Sequence, residues 1–136
     1  MTYAIGQALQ SAIFQALLAD QALGALVGTA IFDTVPLGTL PEVYVTLGQE
    51  DVRDASDQTG GGAVHRFEVA VVGTAPAFDR VKAASAAVCD ALVDAPLALA
   101  RGRLVSLSFR SARARHMDRS DGRRIELVFR ARTESG

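Results

Sequence analysis

The sequence predicts an α+β fold in which two long helices pack on one face of an antiparallel sheet and the chain ends in a long β-hairpin. Three observations carry this. Apolar residues recur at helical spacing in two separate stretches. Period-two alternation marks a strand between them and a strand pair after the second. The order helix, strands, helix, hairpin has no regular βαβ alternation and no internal repeat. With 136 residues, 49% of them apolar and 21% charged, the composition suits one packed domain over residues 1–136 rather than disorder.

In residues 5–18 the larger apolar side chains fall at Ile5, Leu9, Ile13 and Leu17, with Ala12, Phe14 and Leu18 beside them and Gln7, Gln10 and Gln15 between. That is the stripe of a first helix. Asp20 is placed to cap a short second helical segment, which Gly28 closes because glycine adopts a left-handed conformation without steric cost. Ala30, Ile31 and Phe32 then form a short strand, and Pro36, Gly38 and Pro41 mark an irregular crossing. A strand resumes over residues 43–47, rich in β-branched and aromatic side chains.

Residues 50–62 carry Asp51, Asp54 and Asp57 and end in three glycines. With so few apolar side chains to offset the entropy of ordering, the segment is expected to be a mobile loop. From 64 to 72 the chain alternates with Phe67, Val69 and Val71 on one side, and the other side becomes apolar at Ala70 and Val72. Pro76 sits where a helix begins, and Phe78, Val81, Ala84, Val88 and Leu92 align along the stripe of the second long helix, which should end near Asp94 before Pro96. Val105, Leu107 and Phe109, then Ile125, Leu127, Phe129 and Ala131, alternate with polar residues around the turn at 118–122. They describe a hairpin with one wet face.

The net charge is -1, so the whole molecule has no electrostatic reason to seek nucleic acid or an anionic membrane. The charge is nevertheless polarised. Residues 1–68 hold two bases against eight acids, a balance of -6, and residues 69–136 hold twelve bases against seven acids, a balance of +5. No secretory signal and no membrane span is legible near the start, because Gln10, Gln15, Asp20 and Gln21 interrupt the apolar stretch.

Candidate chemistry is sparse. Cys89 is the only cysteine, which excludes an intrachain disulfide and the four-cysteine zinc sites, and its place near the second helical stripe reads as core. His65 and His116, each beside an arginine in strand-like sequence, read as solvated strand residues rather than catalytic bases. Asp51, Asp54 and Asp57 lack the spacing and the distal glutamate of a calcium loop, and the triple glycine lacks the Lys-Ser/Thr of a phosphate loop. The expectation is no enzyme, no metal and no cofactor.

One feature rises above this background. Residues 101–132 hold ten arginines and three acids, with Arg110, Arg113, Arg115, Arg119, Arg123 and Arg124 near the turn. Clustered guanidinium groups can bind phosphates, which makes a nucleic-acid-binding accessory protein the alternative function, although stacking aromatics are absent around the turn. The preferred reading is a solvated or protein-facing strand edge, where arginine also discourages unwanted sheet pairing. If copies meet head to tail in a closed ring, the acidic segment of one meets the basic hairpin of the next. The candidate subunit interface is therefore Asp51, Asp54 and Asp57 with Arg110, Arg113, Arg115, Arg119 and Arg123.

The order of segments also carries a resemblance. Ala8-Leu9-Gln10 through Leu17-Leu18-Ala19, then Leu23-Gly24-Ala25-Leu26-Val27-Gly28, Ile31-Phe32-Asp33-Thr34-Val35-Pro36 and Leu40-Pro41-Glu42-Val43-Tyr44-Val45 are similar to the N-terminal half of the tail-completion, or tail-terminator, proteins of siphophage-like tails. Val88-Cys89-Asp90-Ala91-Leu92 and Phe129-Arg130-Ala131-Arg132-Thr133-Glu134 continue the likeness to the end of the chain. The resemblance implies a hexameric ring bound to the last ring of tail-tube protein, halting tube growth and presenting a surface to the head-side connector, or stopper, protein. DNA would pass through the channel without sequence recognition. It further implies a virion protein of the tail neck, made in the bacterial cytoplasm, in a phage, prophage or gene transfer agent particle, and it brings no catalytic motif and no membrane.

Overall fold

The computed structural model describes residues 3–58, 60–117 and 122–135. Helix α1 (Gly6–Ala19) buries Leu9, Ile13 and Leu17, the stripe its spacing predicts. Helix α2 (Gln21–Val27) begins where the Asp20 carboxylate accepts the Leu23 N–H at 2.9 Å, and it ends at Gly28, whose φ of 61° only glycine adopts without strain. The chain continues through β1 (Ile31–Phe32), β2 (Val43–Asp54), β3 (Gly62–Thr74), a single 3-10 turn holding Pro76, α3 (Phe78–Leu92), β4 (Arg103–His116) and β5 (Gly122–Glu134).

The five strands lie in the order β1-β2-β3-β5-β4. All neighbours are antiparallel except β1 and β2, which run parallel, so the sheet is mixed and not antiparallel throughout. The reason is the crossing at 33–42, which carries the chain back to the level of Ile31 before β2 starts, setting Ile31 beside Val45. Phe67, Val69 and Val71 of β3 and Ile125, Leu127 and Phe129 of β5 face the helices and form the centre of the core. Helix α3 lies over them so closely that a side chain at Gly73 would strike Val81.

Two expectations need correction. The acidic segment is mostly strand: β2 runs on to Asp54, with Glu50 opposite Phe67, Val52 opposite His65 and Asp54 opposite Ala63. The connection after Asp54 is closed by Ala55 N–H to the Gly62 carbonyl at 2.9 Å and pinned by Ser135 N–H to the Gly61 carbonyl at 3.0 Å. The β3 backbone supplies hydrogen-bond partners that side-chain composition does not reveal. The final hairpin has more than one wet face. On β5 burial alternates, but Ala112 and Ala114 of β4 are exposed although they lie beside buried Leu127 and Ile125. The helix layer covers β3 and β5 and stops short of this half of β4.

Candidate subunit interface

The face of the sheet away from the helices carries the charges. Arg124 of β5 reaches Glu68 of β3 at 3.1 Å and its own neighbour Glu126 at 2.9 Å, and Arg115 of β4 meets Glu126 at 3.5 Å. These groups sit around Ala70 and Val72, which are buried on this same face. Gly48 of β2 lies against the Glu68 side chain, where a Cβ would come within 2.9 Å of a carboxylate oxygen. Nothing local in the sequence connects these four residues. Their alternation parity was readable, but their neighbours depend on which strands pair.

The structure separates the predicted acidic and basic groups. Asp51 is exposed on β2 and holds Arg53 at 3.2 Å. Asp54 ends β2 and accepts a hydrogen bond from the Ser56 hydroxyl at 2.6 Å, which holds its carboxyl below the usual carboxylate range. Asp57 shapes the turn, accepting the Gly60 N–H at 3.1 Å. Arg113 is exposed on β4, and among the described residues neither it nor Arg110 makes an ion pair. Arg123 lies over the Phe78 ring, 6.0 Å from its centroid. Arg119 falls outside the described residues.

Of the predicted set, one shallow groove on the open face is lined by both Asp51 and Arg110, together with Arg53, Val64, Arg66 and Arg130. Strands β3 and β5 still intervene. Three strand spacings set β2 and β4 about 14 Å apart, too far for direct pairing within one copy. Asp51, Asp54 and Asp57 lie on or just after β2 at one side of the sheet, and Arg110 and Arg113 lie on β4 at the other.

His65 is not the solvated residue its neighbours suggested. It is 1% exposed, its Nε2 lies 2.9 Å from the Thr133 hydroxyl, and its Nδ1, without a hydrogen bond, stands 4.0 Å from Glu50. Burial pushes its pKa below the ordinary value, and the Glu50 carboxylate opposes that only in part. Glu50 also accepts a hydrogen bond from the Tyr3 hydroxyl. The signal was available, since His65 shares the parity of Phe67. His116 is exposed near the end of β4. The Cys89 thiol is partly buried against the core and is pushed up by that burial. Among the described residues no three His, Cys, Asp or Glu side chains gather to hold a metal ion, and no helix is long and apolar enough to cross a membrane.

The fold and this surface define a class: a small α+β subunit whose charged groups gather along the margins and open face of its sheet. Comparison with known proteins narrows it. Residues 11–134 match the family described as tail completion protein gp17. A solved structure, a chain of the virion of a native gene transfer agent particle, is 58% identical to this chain, with a TM-score of 0.91 over 98% of this chain and 99% of that one. No curated protein sequence matches. The chain belongs to the tail completion protein gp17 family, and it is a structural protein of a virion tail.

Proposed function

We propose that the chain is a tail terminator: a single-domain subunit, residues 1–136, whose six copies form the ring that stops tail-tube polymerisation and joins the tail to the head-side connector. The observation that carries this reading is charge of opposite sign on opposite sides of one sheet, in a member of a tail-completion family. Such a surface favours contact between unlike sides of neighbouring copies, and a contact of that kind closes when each copy is rotated suitably relative to the last. The ring would seat on the tail-tube protein and let DNA pass without reading its sequence. The high identity to a chain of a gene transfer agent virion makes a particle of that type its natural setting.

The test is charge reversal. Exposed ion pairs contribute about 0.2–1 kcal/mol each, so replacing Asp51, Asp54 and Asp57 by Lys should weaken each contact by about 1–3 kcal/mol. Every contact around a ring suffers the same loss. Native mass spectrometry of particle-bound protein should give six copies for the parent and few or none for the triple variant. Arg110→Asp with Arg113→Asp in the same chain should restore part of the ring. A double reversal that restores nothing would mean the two charge blocks do not face each other.

A further inference from the structure

Among the described residues, the sheet is left open at diagonally opposite corners. On one side, β1 covers β2 only at Val45 and Thr46. Among the described residues, no backbone hydrogen bond reaches the outer side of β2 at Glu50 or Val52. On the other side, Asp94 turns the chain through a left-handed conformation, φ 57°, and donates its N–H to the Leu107 carbonyl of β4 at 2.9 Å. Beyond that contact, Ala112 and Ala114 meet no outer partner among the described residues.

The ladder itself tells which backbone groups point outward. In an antiparallel pair, alternate residues direct their N–H and C=O toward one neighbouring strand and then the other. The Val45 N–H reaches Ala30, away from β3. Steps of two along β3, from Val71 through Val69 and Phe67 to His65, keep that phase across the bulge and lead to Leu47, Glu50 and Val52. In the same way the outward Leu107 carbonyl, followed along β5 from Ala131 through Phe129 and Leu127 to Ile125, leads to Phe109, Ala112 and Ala114. Val52 and Ala112 therefore each present an N–H and a C=O to an incoming strand.

We infer that β4 of one copy adds antiparallel to β2 of the next, in the register that sets Val52 opposite Ala112 and Asp51 opposite Arg113. This inference rests on the ring reading and specifies its contact. Direction agrees, because β3 and β4 run opposite to β2 and β5, so a β4-to-β2 junction continues the antiparallel alternation. Face agrees, because Asp51 shares the open face with Arg66, and Arg113 shares it with Glu126. Charge selects among the registers that remain. A slip of two residues one way sets Arg113 against Arg53, and a slip the other way removes Asp51 from any arginine. Pairing of two β4 strands with each other would crowd Arg110, Arg113 and Arg115 of both copies, which like-charge repulsion disfavours.

The geometry also suits closure. Thr46, Ala70, Glu126 and Arg113 lie at one level across the sheet, whereas Asp51 is level with Arg66, four residues along β3 from Ala70. Each copy would therefore shift the ladder by about 13 Å along the strands for about 19 Å across its four long strands. The resulting tilt is about 35°, in the range of sheets that close on themselves.

Two variants in a Cys89→Ser background test this, one Val52→Cys and one Ala112→Cys. Hydrogen-bonded partners in an antiparallel pair stand about 5.5 Å apart at Cα, within disulfide reach. Oxidation of the two variants mixed and assembled into rings should give cross-linked dimers, and neither variant alone should. Rings by native mass without the mixed cross-link would overturn the edge pairing and leave the ring standing. Protein that stays monomeric even on tail tubes would overturn both, and a cross-link in either variant alone would mean that like edges meet, against the inference. In the unaltered chain, amide exchange at Val52 and Ala112 should slow by about 100-fold or more on ring assembly. Unchanged exchange in intact rings refutes the pairing, and slowing without the cross-link refutes the stated register and occupant.

Discussion

Truncating Phe129 to Ala should be among the most damaging single changes in this chain. Its ring is fully buried at the middle of β5, stacked on Phe67 with centroids 5.5 Å apart and met edge-on by Phe109 of β4 at 6.0 Å. Removing a buried phenylalanine costs about 3–5 kcal/mol in lost transfer energy and residual cavity. The upper end applies here, because two aromatic contacts, each contributing about 0.5–1.5 kcal/mol, disappear with it. Phe109 is 43% exposed, so Phe109→Ala should cost only about 1–2 kcal/mol. The double variant should cost about 1 kcal/mol less than the sum, the coupling expected of two rings in contact. The chain has no tryptophan, so urea unfolding followed by far-ultraviolet circular dichroism is the assay, with the slope against urea unchanged. A loss below about 2 kcal/mol for Phe129→Ala, or equal losses for the two single variants, would refute the claim that the core runs under the root of β4 and ends there.

Other perturbations test the same structure. Because His65 is held neutral by burial, the unfolded chain binds a proton near pH 6.5 that the folded chain binds only at lower pH. Stability should therefore fall as the pH drops through that value, and it should be insensitive to His65 above about pH 7.5. His65→Gln should flatten this dependence in thermal melts, and an unchanged profile would show that the ring is not buried when folded. Gly73→Ala should cost about 1–3 kcal/mol by overpacking, since the added carbon meets Val81 as well as the Glu42 carbonyl and the Val43 side chain, each at 3.2 Å. Melting at the parent temperature would mean that α3 does not lie so close to β3.

Much of the fold was legible because it is written in local chemistry. The buried stripe of α1, the Asp20 cap, the Gly28 stop and Pro76 at the entrance to α3 each depend on residues within a few positions of one another. Pairing was less legible. The direction of β1 is decided by where the crossing at 33–42 lands, and the strand character of Glu50 and Asp51 is decided by β3, whose backbone satisfies theirs. The candidate interface divides along the same line: its residues could be named from charge, but their separation onto opposite sides of the sheet could not.

The sequence by itself determined which segments are helical and which extended, which sides of them are apolar, that charge is polarised along the chain, and the family likeness carried by the order of these segments. Tertiary structure alone decided that β5 inserts between β3 and β4 and leaves β4 at the margin, that Thr133 is the group His65 meets, and that two unlike edges stand open at opposite corners among the described residues. The physical reason is range. Helix periodicity, caps and turn chemistry act over a few residues, whereas sheet order and burial come from contacts between distant segments, such as His65 with Thr133, whose partners exist only once the chain has folded.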